Sequence, residues 1–191
     1  MSSPQSGDSL SSALQRRAIR WDAVAAIIAA LVGLLALVVA GYTAYIQREQ
    51  VSAQVWPYLI GGNSSGEREL LWENKGVGPA IVSQVSVTVG GKPQRDWKSV
   101  MQAMGFPTLH YYQSTLAGNV LSPGEKLDWI KFYDEADYRA FMAAAQRVNL
   151  QAVTCYCSTL GECWTTRLRI FSRTSVRRCP ALPESEQFHD D

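Results

Sequence analysis

Between Ala23 and Gln47 the chain carries no charged side chain: AVAAIIAALVGLLALVVAGYTAYIQ. A helix rises about 1.5 Å per residue and a bilayer core is about 30 Å thick, so about 20 apolar residues span it. The run is long enough. Trp21 stands at one end, with Tyr42 and Tyr45 at the other, where amphipathic rings settle at headgroup depth. No polar face develops along it, which argues against a helix in the core of a soluble domain. A cleaved signal peptide is the stronger rival, with Val38-Val39-Ala40 as a tolerable cleavage site. The apolar stretch before that site is longer than the roughly 7–15 residues such peptides use, and its polar lead is long too. The expectation is one uncleaved transmembrane helix over residues 21–47, in contact with membrane lipid.

Flanking charge sets the orientation. Arg16, Arg17 and Arg20 precede the run, whereas Arg48, offset by Glu49, follows it. Positive charge stays on the cytoplasmic side. The N-terminus is then cytoplasmic and the larger C-terminal part periplasmic, as in a bacterial inner-membrane protein. Ala25, Ala29, Gly33, Ala36, Ala40 and Ala44 follow 4-4-3-4-4 spacing and make a small-residue stripe. Such stripes let helix backbones approach closely in lipid. A homodimer or a membrane-protein partner is expected there; the plainer reading is that alanine is frequent in this span.

Overall charge excludes one function class. Net charge is +1, and beyond residue 51 basic and acidic side chains balance. No basic field exists to hold nucleic acid.

The Ser-rich residues 1–20 lack periodicity and are expected to be disordered. Residues 48–54 extend the helix as a stalk, and Trp56-Pro57 turns the chain towards extended structure. Residues 180–191 (PALPESEQFHDD) read as a loose tail. Residues 55–179 alternate with period two. Val85, Val87 and Val89 oppose Gln84, Ser86 and Thr88; Leu127, Trp129 and Lys131 oppose Asp128, Ile130 and Phe132. NLQAVTCYCS and CWTTRLRIFS form a hairpin around TLGE. Two helices interrupt the strands. Asp96 caps one with Trp97, Val100, Met101 and Met104 on a face; Asp134 caps another with Tyr138, Phe141, Met142 and Ala145 on a side. Short strands at regular spacing, about seven of them, predict a β-sandwich with two inserted helices.

NKGVGPA after a strand, a Val-rich strand, then LSPGE before another strand resemble the immunoglobulin-like sandwich domains of bacterial envelope proteins. The layout is similar to single-pass bacterial membrane proteins with such an outer domain. The resemblance implies an immunoglobulin-like β-sandwich over roughly residues 52–175 and carries no functional residues with it.

Four cysteines are present: Cys155, Cys157, Cys163 and Cys179. In an oxidising compartment they form disulfides. A turn centred on Leu160 sets Cys157 opposite Cys163, and directly opposed strand residues are close enough to bridge. Cys157–Cys163 and Cys155–Cys179 are therefore expected, each contributing about 2–4 kcal/mol. Copper or zinc on the same cysteines is the sharper alternative, but the paired C-x₂-C spacing is missing, and so is the C-x-x-C of a thioredoxin-type site. No metal or other cofactor is expected.

Little else points to chemistry. His110 could act as a base, yet no G-x-S-x-G, P-loop or G-x-G-x-x-G accompanies it. No enzyme is expected; an envelope enzyme or metal protein using the cysteines or His110 is the alternative. Arg167, Arg169 and Arg173 fall on one face of the last strand, continued by Arg177 and Arg178. The plain reading is a solvated face that protects an edge. The functional one is an interaction surface for an acidic partner or anionic headgroups, and with it a role as an interaction or scaffold module.

Overall fold

The computed structural model describes residues 8–106 and 108–189, without side-chain detail for residues 8–20 and Ser52. In chain order the elements are α1 (Asp8–Gln54), β1 (Leu59–Ser64), β2 (Glu69–Asn74), β3 (Ala80–Val89), β4 (Lys92–Gln94), α2 (Trp97–Met104), β5 (Tyr111–Gln113), β6 (Val120–Leu121), β7 (Lys126–Phe132), α3 (Glu135–Arg147), β8 (Gln151–Cys157), β9 (Cys163–Arg167), β10 (Ile170–Val176) and a 3-10 turn (Glu184–Glu186). The chain divides into two compact units, residues 1–50 and 51–191.

The first unit is helix. Trp21–Val51 is apolar enough to cross a membrane, and none of its most apolar window is buried within the protein. The helix begins at Asp8, so residues 8–20 are helical rather than disordered. Once a helix is nucleated, each added residue costs little, and Ala13, Leu14, Gln15, Arg16 and Arg17 are good helix formers. Residues 1–7 lie outside the described part.

The second unit holds two antiparallel sheets. One has the order β1-β2-β7-β5; the other runs β10-β9-β8-β3-β4, with β6 also on β3. Ten strands are thus formed among the described residues, more than the seven expected, because the last expected strand is split into β9 and β10 and because β4 and β6 are only 3 and 2 residues long. At that length no alternation can be read.

One apolar core lies in this unit. Trp72 of β2, Trp129 of β7, Trp97 of α2 and Phe188 near the C-terminus are each no more than 1% exposed. Trp97 and Trp129 meet edge to face at 4.7 Å, and Phe188 stands 5.4 Å from Trp97 and 5.7 Å from Trp129. Edge-to-face pairs of this kind add about 0.5–1.5 kcal/mol beyond the area they bury. A bulge between Leu70 and Leu71 breaks the pairing of β2 with β7, so Trp129 and Ile130 are both buried and the simple alternation expected of β7 fails.

The helices follow their apolar faces. In α2 Trp97, Val100, Met101 and Met104 are buried, and the Asp96 side chain accepts the Ser99 N–H at 2.6 Å. In α3 the buried set is Tyr138, Phe141, Ala144 and Ala145. Asp134 makes no side-chain cap, a correction to the expected one; Glu135 and Asp137 in the first turn favour the helix dipole instead.

Residues 180–189 are not a loose tail. Pro180 and Leu182 lie with Gln84, Ser86, Val153 and Cys155 around one small cavity. The chain then reaches the edge of β3, where the Phe188 N–H donates to Val85 O at 3.0 Å and the His189 N–H to Arg95 O at 2.7 Å. Phe188 is the reason: its ring fills the space between two tryptophans, which outweighs the polar composition around it.

The NKGVGPA and LSPGE turns meet at Asn74, which is fully buried. Its carboxamide oxygen accepts the Tyr58 and Gly76 N–H groups at 3.1 and 3.0 Å. Its nitrogen donates to Gly78 O and Leu121 O at 2.8 and 3.0 Å. Its backbone exchanges bonds with Gly124 and Glu125. Gly78 must be glycine, since a Cβ there would stand 1.8 Å from Val55 O.

Asn74→Ala leaves four buried or half-buried groups unpaired, at about 1–3 kcal/mol for each fully buried one. Urea denaturation should show a loss of at least about 3 kcal/mol, placing the variant in the severe class. A loss below about 1 kcal/mol contradicts the role given to this side chain.

Candidate functional site

The cysteines are brought together on β8, β9 and the segment after β10. Cys155 and Cys157 alternate on one strand and so share a face. Cys157 pairs directly with Cys163 across the β8–β9 ladder. The Sγ atoms of Cys157 and Cys163 lie at disulfide distance, as do those of Cys155 and Cys179, with Cα separations of 4.0 and 5.7 Å. The two pairs touch: Cys157 Sγ is 3.8 Å from Cys179 Sγ. Cys155 faces Gln84 across the β3–β8 ladder, whereas its neighbour Thr154 faces the core residue Val85. The four sulfurs therefore lie on the face of this sheet turned away from the core, under the segment that begins at Cys179. Cys155 and Cys163 are buried; Cys157 and Cys179 are half-buried.

The arginines are not one stripe. The expected single strand CWTTRLRIFS breaks at Leu168-Arg169 into β9 and β10, and Arg169 turns with a left-handed φ of 62°. No glycine, proline or asparagine announces this turn. A tertiary contact holds it: the Arg169 N–H donates to Gly61 O at 2.8 Å, beside an isolated bridge between Gly61 and Leu168. That contact also joins the two sheets. Arg167 is exposed, and Arg169 is half-buried. Both border a shallow cavity of about 230 Å³ with Ile170, Leu150 and Asn149. Ile170 and Phe171 beside it are exposed, 44% and 68%.

Arg173 leaves the expected surface altogether. Its guanidinium sits over three rings, 4.7 Å from Trp56, 5.1 Å from Tyr58 and 4.6 Å from Trp164. It also donates to Pro57 O at 2.5 Å. Cation–π contacts contribute from about 0.5 kcal/mol when exposed to about 2 when desolvated. Arg173 thus ties β10 to the chain that leads into β1. The three aromatic walls could not be anticipated as a unit, because Trp56 and Tyr58 are more than a hundred positions from Trp164.

The remaining candidates stay apart. His110 is exposed in the loop before β5. Ala25, Ala29, Gly33, Ala36, Ala40 and Ala44 are all exposed on α1. On the four-stranded sheet, the buried carboxylate of Glu69 meets the ammonium groups of Lys126 and Lys131. Hydrogen bonding to Glu69 raises the pKa of Lys126, and hydrogen bonding to Glu67 that of Lys131. Glu69 between two lysines is an internal ion pair, not a site open to a ligand.

The chain matches no known family model, no curated protein and no solved structure.

Tyr156 lies beneath the Arg173 cage, and its hydroxyl receives the Leu59 N–H at 3.3 Å. Burial raises the pKa of the phenol above 10.0, against the opposing pull of that bond and of Arg173. Below pH 10 the phenol is neutral in both states. Above it the unfolded chain ionises first, so stability falls as pH rises towards the folded value. Lys126 and Lys131, raised above 10.5, act in the same direction. Thermal melting from pH 8 to 12 should show a midpoint that declines above about pH 10, less steeply in Tyr156→Phe. Equal slopes for both proteins contradict the assignment.

Proposed function

We propose that the chain is a bitopic membrane protein of the bacterial cell envelope. In this reading α1 crosses the inner membrane with its N-terminus in the cytoplasm. The β unit is an immunoglobulin-like sandwich in the periplasm and serves as an interaction or scaffold module. The observation that carries the reading is the apolar stretch Trp21–Val51, 31 residues with no part of its most apolar window buried. That surface needs either lipid or other apolar helices around it. Two cysteine pairs at disulfide distance support an oxidising compartment for the other unit.

The docking surface we assign is the concavity lined by Arg167, Arg169 and Ile170, with the exposed Phe171 next in sequence. Two arginines beside exposed apolar side chains suit an acidic partner with an apolar anchor. Arg173 is not part of this surface. Along the span, the stripe from Ala25 to Ala44 offers a second contact, to another copy or to another membrane helix.

The test is co-purification of the tagged full chain with its envelope partners in mild detergent. Arg167→Glu and Arg169→Glu together should lower capture of the acidic partner at least tenfold, with the melting temperature unchanged. Undiminished capture by a folded double variant rules this surface out.

A further inference from the structure

The two disulfides use all four cysteines, and their sulfurs cluster on one face of the sheet. Cys157, Cys163 and Cys179 offer Sγ atoms that all lie within 4.8 Å of one another, and Cys155 is bonded to the last of them. The two pairs meet at 3.8 Å, from Cys157 Sγ to Cys179 Sγ. A tetrahedral zinc thiolate, with Zn–S of about 2.3 Å, sets its sulfurs about 3.8 Å apart. One edge of such a tetrahedron is therefore already present between the two pairs. We propose that, in its reduced form, the chain binds a thiophilic divalent cation of the zinc class through Cys155, Cys157, Cys163 and Cys179.

The surroundings suit that group. A cation of charge two with four thiolates carries a net charge of minus two. Arg177 and Arg178 directly precede Cys179 and are exposed, and Glu162 directly precedes Cys163. The Ser83 hydroxyl stands 4.0 Å from Cys157 Sγ, placed to donate to a thiolate from outside the ligand shell. The ligands come from two paired strands and a segment anchored at Phe188, so the fold holds their backbones while side-chain rotation opens each bonded pair.

Reduction takes two equivalents of a dithiol. The first opens the Cys157–Cys163 pair, attacked at the half-buried Cys157 Sγ or its partner, giving two thiols and the oxidised dithiol. The Cys157 thiolate then attacks Cys179 Sγ, forming Cys157–Cys179 and expelling Cys155 as thiolate. The second equivalent opens that bond. Four electrons and four protons enter, and cation binding releases the four thiol protons.

The experiment is a cobalt(II) titration of the full chain in detergent, without oxygen, before and after reduction by a dithiol that is then removed. The reduced chain should bind one cobalt per chain with sulfur-to-cobalt charge-transfer absorption, and zinc should displace it. Cys179→Ser should weaken binding at least tenfold. The oxidised chain should show no such absorption. Far-UV circular dichroism of the reduced chain follows the fold. The proposal fails if the reduced chain shows no charge transfer, if Cys179→Ser binds as tightly, or if reduction unfolds the β unit and cation does not restore it.

Discussion

The carboxamide of Asn74 is the joint on which the β unit is assembled. An amide side chain has two acceptor and two donor positions, and here all four are used: Tyr58, Gly76, Gly78 and Leu121. The four partners belong to three pieces: the chain leading into β1, the turn after β2, which supplies both glycines, and strand β6. The backbone of the same residue bonds the turn before β7. Gly76 and Gly78 lie so close to Trp56 and Val55 that no side chain fits. Removing the amide therefore loosens several connections together, and the fully used hydrogen-bonding capacity is why this polar side chain can be buried.

From that joint the structure is closed twice more. Arg173 closes it beside β1, gathering Trp56, Tyr58 and Trp164 around one cation. The last segment closes it over the other sheet. It is held by Cys179 at one end and by Phe188 at the other, between Trp97 and Trp129. Within that span Pro180 and Leu182 lie beside Cys155. A covalent anchor and an apolar one thus act on the same short stretch.

Period and composition made much of this legible. The unbroken apolar run marked α1, and strict alternation marked β3. The spacing of Trp97, Val100, Met101 and Met104 marked α2. Cysteine positions about a four-residue turn were enough to suggest both pairings. What failed were features decided by distant contacts. The turn at Arg169 depends on Gly61, not on a local turn residue, so β9 and β10 read as one strand and three arginines read as one stripe. Trp129 is buried beside Ile130 because β7 itself is bulged there, with Trp129 as the extra residue against β2. The final segment looked unstructured because two prolines and several acids outnumber Phe188, although a single aromatic in a polar stretch was a usable sign of docking.

The measurement that bears most directly on the account is thiol labelling in intact cells with a membrane-impermeant maleimide, before and after reduction. The account predicts no labelling at first and labelling after reduction, with the membrane still closed. Cysteines that label without reduction, and only once the membrane is opened, would contradict both the placement of the β unit and the pairing of its sulfurs.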